Sequence, residues 1–381
     1  MKKTLLVFIL LGLVSLLADV VYEGARSIIG AYLKVLEAAM VIAGVISFGE
    51  FIGYVMRGVG GFIANRFRSS RVYWMLIFLG YSVNLFAIPL LAFVGSWEYA
   101  LVLVFIERMG KGLRAPARDV IISEVTEDLG KGKGFGIHEV MDQLGAITGP
   151  AIVAWILLTV ASYKYAFLVL AIPALLSITT LFIAYVNYPK IKSVEVVRRT
   201  GAKLPAKFLV FLLSISLMSL GFMHWGLVSY SLKHFSIFED YFIPTLYLIA
   251  MLTDAIIAFP IGVMYDKIGV KSTLISPILI IILMALFASG KQSMIVLSIM
   301  LWGLVMGIYE TIIRASIADL VPMESRAKAY GLYGIIFGAS WTLGNIMLSY
   351  IMQISATMML TYVVIVEIIA FLLMAYTCFR S

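Results

Sequence analysis

Long apolar stretches alternate with short polar breaks along the whole of this 381-residue chain. Each stretch reaches the ~20 residues that a helix needs to cross the hydrocarbon of a bilayer. A closed barrel, the other structure able to span lipid, would show ~10-residue strands of alternating polarity in place of continuous apolar runs. At ~20 residues per crossing plus short loops, the chain accommodates about twelve helices. The pattern therefore predicts an all-α integral membrane protein with twelve transmembrane helices. The first begins after Lys3, the second carries Glu50 and Arg57, and the third runs from about Tyr73 to Phe93. The fourth enters near Trp97, the fifth carries His138 and Asp142, and the sixth runs from about Tyr165 to Tyr188. A basic, polar connector over 189–206 then separates a six-helix half, 1–188, from a second half, 207–381.

The second half repeats the plan of the first. GVMYDKIGVK from Gly262 matches GFIANRFRSS from Gly61, setting Asn65 against Asp266 and Arg66 against Lys267. KAYGLYGIIFGASWTLG aligns with KGFGIHEVMDQLGAITG, setting Gly136 against Gly331 and Gly149 against Gly344. The near-constant offset points to one duplication. Two halves of like orientation, joined by a long loop, describe a secondary transporter with its substrate site near the midplane.

Composition sharpens the picture, because only 13% of residues are charged against 62% hydrophobic. The net charge of +8 would suit nucleic acid, but its placement argues for membrane topology. Basic residues cluster in alternate loops: Lys2 and Lys3, Arg66 to Arg71, Lys131 and Lys133, Lys190 to Lys207, Lys267 and Lys271, Arg326 and Lys328. The intervening loops hold few, such as Lys34, Lys164, Lys233 and Lys291. That asymmetry predicts a cell-membrane protein with both termini in the cytoplasm. The lone Cys378 excludes an internal disulfide and a thiol metal cluster. The first apolar run continues well past Ala18, so no removable signal peptide is expected.

The most charged stretch is Glu107 to Pro150, enclosed by apolar runs. From Glu107, steps of four, three and four residues bring Lys111, Arg114 and Arg118 to one helix face, which must line protein or water. Glu107 and Arg108 are adjacent and so ~100° apart, which lets one face a cavity while the other pairs with a neighbouring helix. Arg114 and Arg118 near the helix end are expected to pair with loop carboxylates such as Glu124. On the first helix Asp19, Glu23 and Arg26 share a face, and acid and base are expected to satisfy one another, leaving one net negative charge. His138 and Asp142 lie one turn apart on the fifth. Carboxylates buried in lipid are candidates for an ion path, so Asp19 and Asp142 are the expected proton carriers. In the second half the stripe becomes Gly303, Gly307, Glu310 and Arg314, with Asp254 and Glu310 the only acids expected to be deep. Trp225, Tyr230, Trp302, Tyr309 and Trp341 offer aromatic walls.

The glycine-rich GKGKGFG from Gly130 to Gly136 is expected to be a cytoplasmic turn. No strand precedes it and no G-x-x-x-x-G-K-S/T occurs, so no phosphate cradle or ATPase is expected. No enzyme, cofactor or resident metal is expected either.

The pattern G-x-x-x-D-R/K-x-G-x-R/K, met by Gly262, Asp266, Lys267, Gly269 and Lys271, resembles the signature loop of the major facilitator superfamily. The first copy departs from it, with Asn65 and Arg68 where Asp and Gly are usual. The resemblance implies gate roles for Asn65, Arg66, Asp266 and Lys267; Arg118 and Arg314 join them at the inner ends of their helices. Gly145-x-x-x-Gly149-Pro150 resembles part of the family's antiporter motif, though Val153 and Ala154 replace its later glycines. GKGLRAPARD followed by FGIHEVMDQLGAITGP looks like a prokaryotic group of uncharacterised facilitators.

Together these features predict a transporter moving a small solute by alternating access. Proton-coupled antiport, working as efflux, is the expected mechanism. The proton and substrate path is expected to run through Asp19, Glu23, Arg26, Glu107, Arg108, Arg114, His138, Asp142, Asp254 and Glu310. Uniport or uptake of an organic anion held by Arg26, Arg108 and Arg114 is the alternative. Divalent metal transport through Asp19, Glu23, His138 and Asp142 is a third, and a non-transporting receptor, which would call for a large soluble loop or tail, a fourth. The expected partners are a small solute, protons and lipid, with the chain a monomer.

Overall fold

The structure is a computed structural model that describes residues 2–126, 131–191 and 203–379, without the side chains of 2, 3, 131, 132, 135, 324 and 327. Connector residues 192–202 lie outside the described residues, as do 127–130. In order, the helices are α1 (Lys2–Val35), α2 (Met40–Val45), α3 (Phe48–Phe67), α4 (Ser70–Leu90), α5 (Trp97–Val125), α6 (Lys131–Val160), α7 (Tyr163–Val169) and α8 (Ala171–Asn187). There follow α9 (Ala206–Gly221), α10 (Trp225–His234), α11 (Phe242–Ile268), α12 (Ile275–Ala288), α13 (Gln292–Glu310), α14 (Ile312–Leu320), α15 (Arg326–Ile354) and α16 (Ala356–Phe379).

Ten stretches of the described residues are long and apolar enough to cross a membrane. One of these, Phe242–Ala288, is 47 residues long and holds two crossings. Gly269 turns the chain between them at φ +60, a conformation glycine adopts without steric cost, and opens the 3-10 turn Gly269–Leu274. The missing member is α5, whose charges keep it below the apolar threshold although it is 29 residues long and runs beside α4. Counting both gives the twelve crossings expected. Large apolar side chains cover the outer surface, Phe259 at 80% and Phe62 at 70% exposure among them. In water that would be anomalous, whereas facing lipid it is the ordinary arrangement.

The chain folds as two compact units. Unit 1 comprises Met1–Glu37, Ile52–Val197 and Asp240–Thr245; unit 2 comprises Ala38–Phe51, Arg198–Glu239 and Leu246–Ser381. In unit 1, α1 packs against α6 and α8, and α4 runs along α5. In unit 2, α9 packs against α15 and α16, and α12 runs along α13. The same pairs recur at the duplicated positions. Segment 38–51, with α2, packs on α10 and α15 in unit 2.

Small residues set the closest approaches. A Cβ at Gly149 would lie 2.3 Å from the Val20 carbonyl oxygen and 2.8 Å from the Gly24 nitrogen, so α1 and α6 touch backbone to backbone. Gly303 meets the Ala250 carbonyl in the same way, which explains why unit 2 keeps glycine where unit 1 has Glu107.

One expectation is corrected. The glycine-rich run from Lys131 to Gly136 is not a turn but the first turns of α6, where the 30-residue helix carries its glycines along. Gly134 there fits against Thr126, where a Cβ would come within 2.3 Å of the side chain. The aromatic residues of unit 2 pack on one another, as aromatic side chains in membrane helices commonly do. Phe222 stacks on Trp302, Tyr309 and Trp341, Trp225 packs on Tyr247 and Trp302, and all are buried.

Replacing Gly149 by Val should lower the thermal midpoint of the detergent-solubilised protein, since forcing extra methyl groups into a packed contact costs about 1–3 kcal/mol. Gly136→Ala, where a Cβ meets nothing within 4 Å, should leave it unchanged or slightly raised. Size-exclusion monitored melting measures both.

Candidate functional site

The polar face of α1 is the spine of unit 1. Ser15, Asp19, Glu23 and Arg26 recur at helical spacing and are met by charged residues of α5 and α6. Glu23 Oε1 lies 3.1 Å from Arg26 Nη1 and 3.8 Å from Lys111 Nζ, so the local acid–base pair expected on α1 forms and gains a second cation. Lys111 Nζ also sits 3.7 Å over the Tyr22 ring, a cation–π contact.

One turn or two lower, Ser15 is a junction of three helices besides its own. Its Oγ lies 3.4 Å from the Tyr81 hydroxyl on α4 and 3.1 Å from His138 Nε2 on α6, and accepts from Arg118 Nη1 on α5 at 3.3 Å. A hydroxyl offers one donor and two acceptor lone pairs, so three such neighbours saturate it. His138 Nδ1 in turn faces Asp142 Oδ2 at 3.3 Å. The chain Asp142–His138–Ser15–Arg118 thus joins α6 to α5 through α1. Asp19 is buried at 6% exposure, and Asp142, Lys111, Glu23 and Arg114 all act on it electrostatically. Gly145 permits this, because a Cβ there would come within 2.7 Å of Asp19 Cβ.

A second cluster lies between α4 and α5. Asn84 Nδ2 donates to Glu107 Oε1 at 2.6 Å and to the Glu107 carbonyl at 3.2 Å, while Arg108 Nε pairs with Glu107 Oε2 at 3.2 Å. Adjacent residues on the helix therefore pair with each other as well as with a neighbour. Arg114, 1% exposed, places its guanidinium 3.8 Å over the Tyr81 ring. Gly80 and Gly110 let the two helices approach this closely, the Gly110 position lying against the Gly80 carbonyl.

Arg118 finds its carboxylate on the adjacent residue, with Nη2 at 2.9 Å and Nε at 3.1 Å from Asp119 Oδ1. Arg57 Nη2 bridges to Asp119 Oδ2 at 2.9 Å. Glu124, the partner expected from sequence, takes a hydrogen bond from the Tyr188 hydroxyl. The structure thus gathers Asp19, Glu23, Arg26, Glu107, Arg108, Arg114, Arg118, His138 and Asp142 in unit 1, with Gly145, Gly149 and Pro150 on the packed length of α6 beside them. Asp254 is buried on α11 against Gly307 of α13, and Glu310 closes α13, both in unit 2. Asn65, Arg66, Asp266, Lys267 and Arg314 are exposed near helix ends.

Several partners were not foreseen. Ser15, Tyr81, Asn84 and Asp119 are the groups that satisfy the charges. Asn84 carried a signal, being the one side-chain amide in the apolar run of α4. In unit 2 the expectation of only two deep acids is corrected by Glu367, which is fully buried on α16 and is the one charged residue of that helix. Among the described residues no group of three or more His, Cys, Asp and Glu could hold a metal ion.

The major facilitator superfamily model matches residues 55–246 and 209–381. The chain belongs to the major facilitator superfamily. An uncharacterized protein of Mycobacterium tuberculosis is 34% identical over 95% of this facilitator and 90% of its own length. An uncharacterized MFS-type transporter of Methanocaldococcus jannaschii is 27% identical over 96% of this facilitator and 94% of its own length. Among solved structures, the nucleoside transporter NupG superposes with a TM-score of 0.80 at 16% identity, over 98% of this chain and 100% of NupG. A POT family transporter in complex with 5-aminolevulinic acid gives 0.77 at 14% identity, over 97% and 94%. At such identities these two matches show the shared fold. This facilitator is a multi-pass membrane transporter.

Breaking the Glu107 cluster from one side should be costly. Glu107→Ala leaves Arg108 and Asn84 desolvated and should destabilise the protein by about 3 kcal/mol, as removal of one partner of a buried pair does. Glu107→Ala with Arg108→Ala should recover part of the loss in a double-mutant cycle read by denaturant melts.

Proposed function

We propose that this facilitator couples the movement of a small organic solute to protons, working as an antiporter that exports the solute. The observation that carries the reading is the cluster in unit 1, where Asp142 and Asp19 lie on helices packed through glycine and share their surroundings with His138, Arg118 and Lys111. Carboxylates inside a membrane are costly unless paired or protonated, so a helix pair that keeps two of them at close quarters supports proton exchange. The tie from Asp142 through His138 and Ser15 to Arg118 supplies a hydrogen-bonded route along which protonation of one member alters its neighbours. NupG and the POT family transporter are named for nucleosides and for a complex with 5-aminolevulinic acid, which supports a polar organic solute as cargo.

The solute path in this reading uses Glu23, Arg26, Glu107, Arg108, Arg114, Asp254 and Glu310 besides the proton carriers. Exposed Asn65, Arg66, Asp266 and Lys267, with Arg118 and Arg314, serve the gate. In this reading the duplicated halves 1–188 and 207–381, joined by the connector, alternate access in a monomer of the cell membrane with both termini cytoplasmic. A second reading, uniport or uptake of an organic anion, draws on Arg114, whose buried Nε makes no hydrogen bond although the guanidinium is held over Tyr81.

Proteoliposomes loaded with a pH-sensitive dye and offered cationic, anionic and neutral solutes in turn test this. Solute-dependent proton movement is expected in the wild type and should fall to the level of empty liposomes in Asp142→Asn. Solute entry without proton movement, abolished by Arg114→Gln for anions alone, would replace antiport by the second reading.

A further inference from the structure

Unit 2 holds a carboxyl that the cluster of unit 1 leaves unused. Glu367 lies eleven residues past Ala356 and twelve before Phe379, so roughly 17 Å of helix separates it from either end of α16. Its exposure is 0%, and neither Oε1 nor Oε2 has a hydrogen-bond partner. The carboxyl is set directly against α9: a Cβ added to Gly221, the last residue of that helix, would fall 2.3 Å from Glu367 Oε1 and 3.2 Å from its Cδ. Glycine at 221 therefore provides the space that the acid occupies.

Among the described residues no ion pair reaches Glu367. The elements packed on α16 are α9, α12, α15 and the turn Gly269–Leu274. Their cations sit at the ends: Lys207 in the first turn of α9, Arg326 and Lys328 at the start of α15, and Lys271, which lies 5.0 Å over the Phe379 ring. Helix α12 has no titratable residue. The phenols on which Glu367 acts electrostatically are those of Tyr309 on α13 and Tyr362 on α16. An ionised carboxylate sealed away from water with neither cation nor hydrogen-bond donor is the costliest state open to the side chain, and taking up one proton removes that charge. A bound metal ion would need several oxygen ligands, whereas a proton needs one lone pair.

The place is as telling as the burial. Gly221 ends α9 and α10 begins at Trp225, so the carboxyl lies beside a break in the backbone of the seventh crossing. The carbonyls there are held by side chains from other helices: Leu220 by the Tyr362 hydroxyl at 3.2 Å, Phe222 by Trp341 Nε1 at 2.7 Å, and Met223 by Trp302 Nε1 at 2.8 Å. We propose that Glu367 is a proton-binding site of unit 2, holding its proton as the neutral acid against Gly221 at the break of the seventh crossing. It is distinct from the Asp19 and Asp142 cluster and does not depend on how the solute is coupled there.

Infrared difference spectroscopy of the full-length protein in nanodiscs tests this directly. The wild type at neutral pH should show the carbonyl stretch of a protonated carboxyl shielded from water. Glu367→Gln should reduce that band to background, whereas Asp142→Asn should keep it even if solute-driven proton movement is lost. A band unchanged in Glu367→Gln would overturn the proposal, as would loss of the wild-type band when potassium is exchanged for sodium at fixed pH, which would mark a sodium site. Should Glu367→Gln fail to fold, Gly221→Ala serves in its place. Its methyl group displaces the carboxyl and should shift the band, and a band of unaltered frequency would sink the assignment.

Discussion

Hydrocarbon offers no water to an unpaired charge or an open peptide group, and this fold is arranged around that one constraint. Where unit 1 places charge inside the bilayer, it surrounds that charge with neutral polar groups as well as opposite charges. Glu107 is held by an amide and a guanidinium, and Arg114 by the face of a phenol. Where unit 2 interrupts a helix instead, amide and imidazole groups accept from the exposed peptide N–H groups: His224 N donates to Asn345 Oδ1 at 2.7 Å, and Gly226 N to His224 Nδ1 at 3.0 Å. The two halves of one duplication have met the same demand by different means.

Glycine is what allows either solution. Charged side chains on α1 and α6 reach common partners only because Gly145 and Gly149 bring the backbones into contact. In unit 2, Gly344 lies where a Cβ would come within 2.4 Å of the Leu220 carbonyl oxygen, and it is the duplicate of Gly149. Gly149 of the motif that resembles an antiporter signature and its duplicate Gly344 thus have the same mechanical role. In each unit this glycine fixes how near the fifth helix of the half can approach the first.

Much of this was legible from the residues. Apolar run length gave the crossings, the offset of about two hundred residues gave the duplication, and spacing put Glu23 beside Arg26 and His138 beside Asp142. What remained hidden has physical reasons. Periodicity identifies a face but not the neighbour it meets, so Arg118 was matched to Glu124 when the adjacent Asp119 was within reach. Ser15 shares the face of Asp19 and Glu23 by spacing, but which groups it meets shows only when α4, α5 and α6 are brought to α1, and Tyr81 is a residue type that serves equally as packing. The breaks at Phe222 to His224, just after Gly221, and at Thr311 fall at no proline, so the apolar pattern runs through them without a signal. Glu367 is the one charge in its helix, a signal that stands out less beside the many charges of the first half.

The indole donors at the seventh crossing carry one more consequence. Trp225, Trp302 and Trp341 are half of the six tryptophans in the chain, and they share contacts with Phe222, His224 and one another. Indole emission depends on the polarity around the ring and on the hydrogen bond of its N–H. Half of the indoles of the unlabelled protein therefore sit where its backbone is interrupted, and their emission is a natural optical gauge of that place.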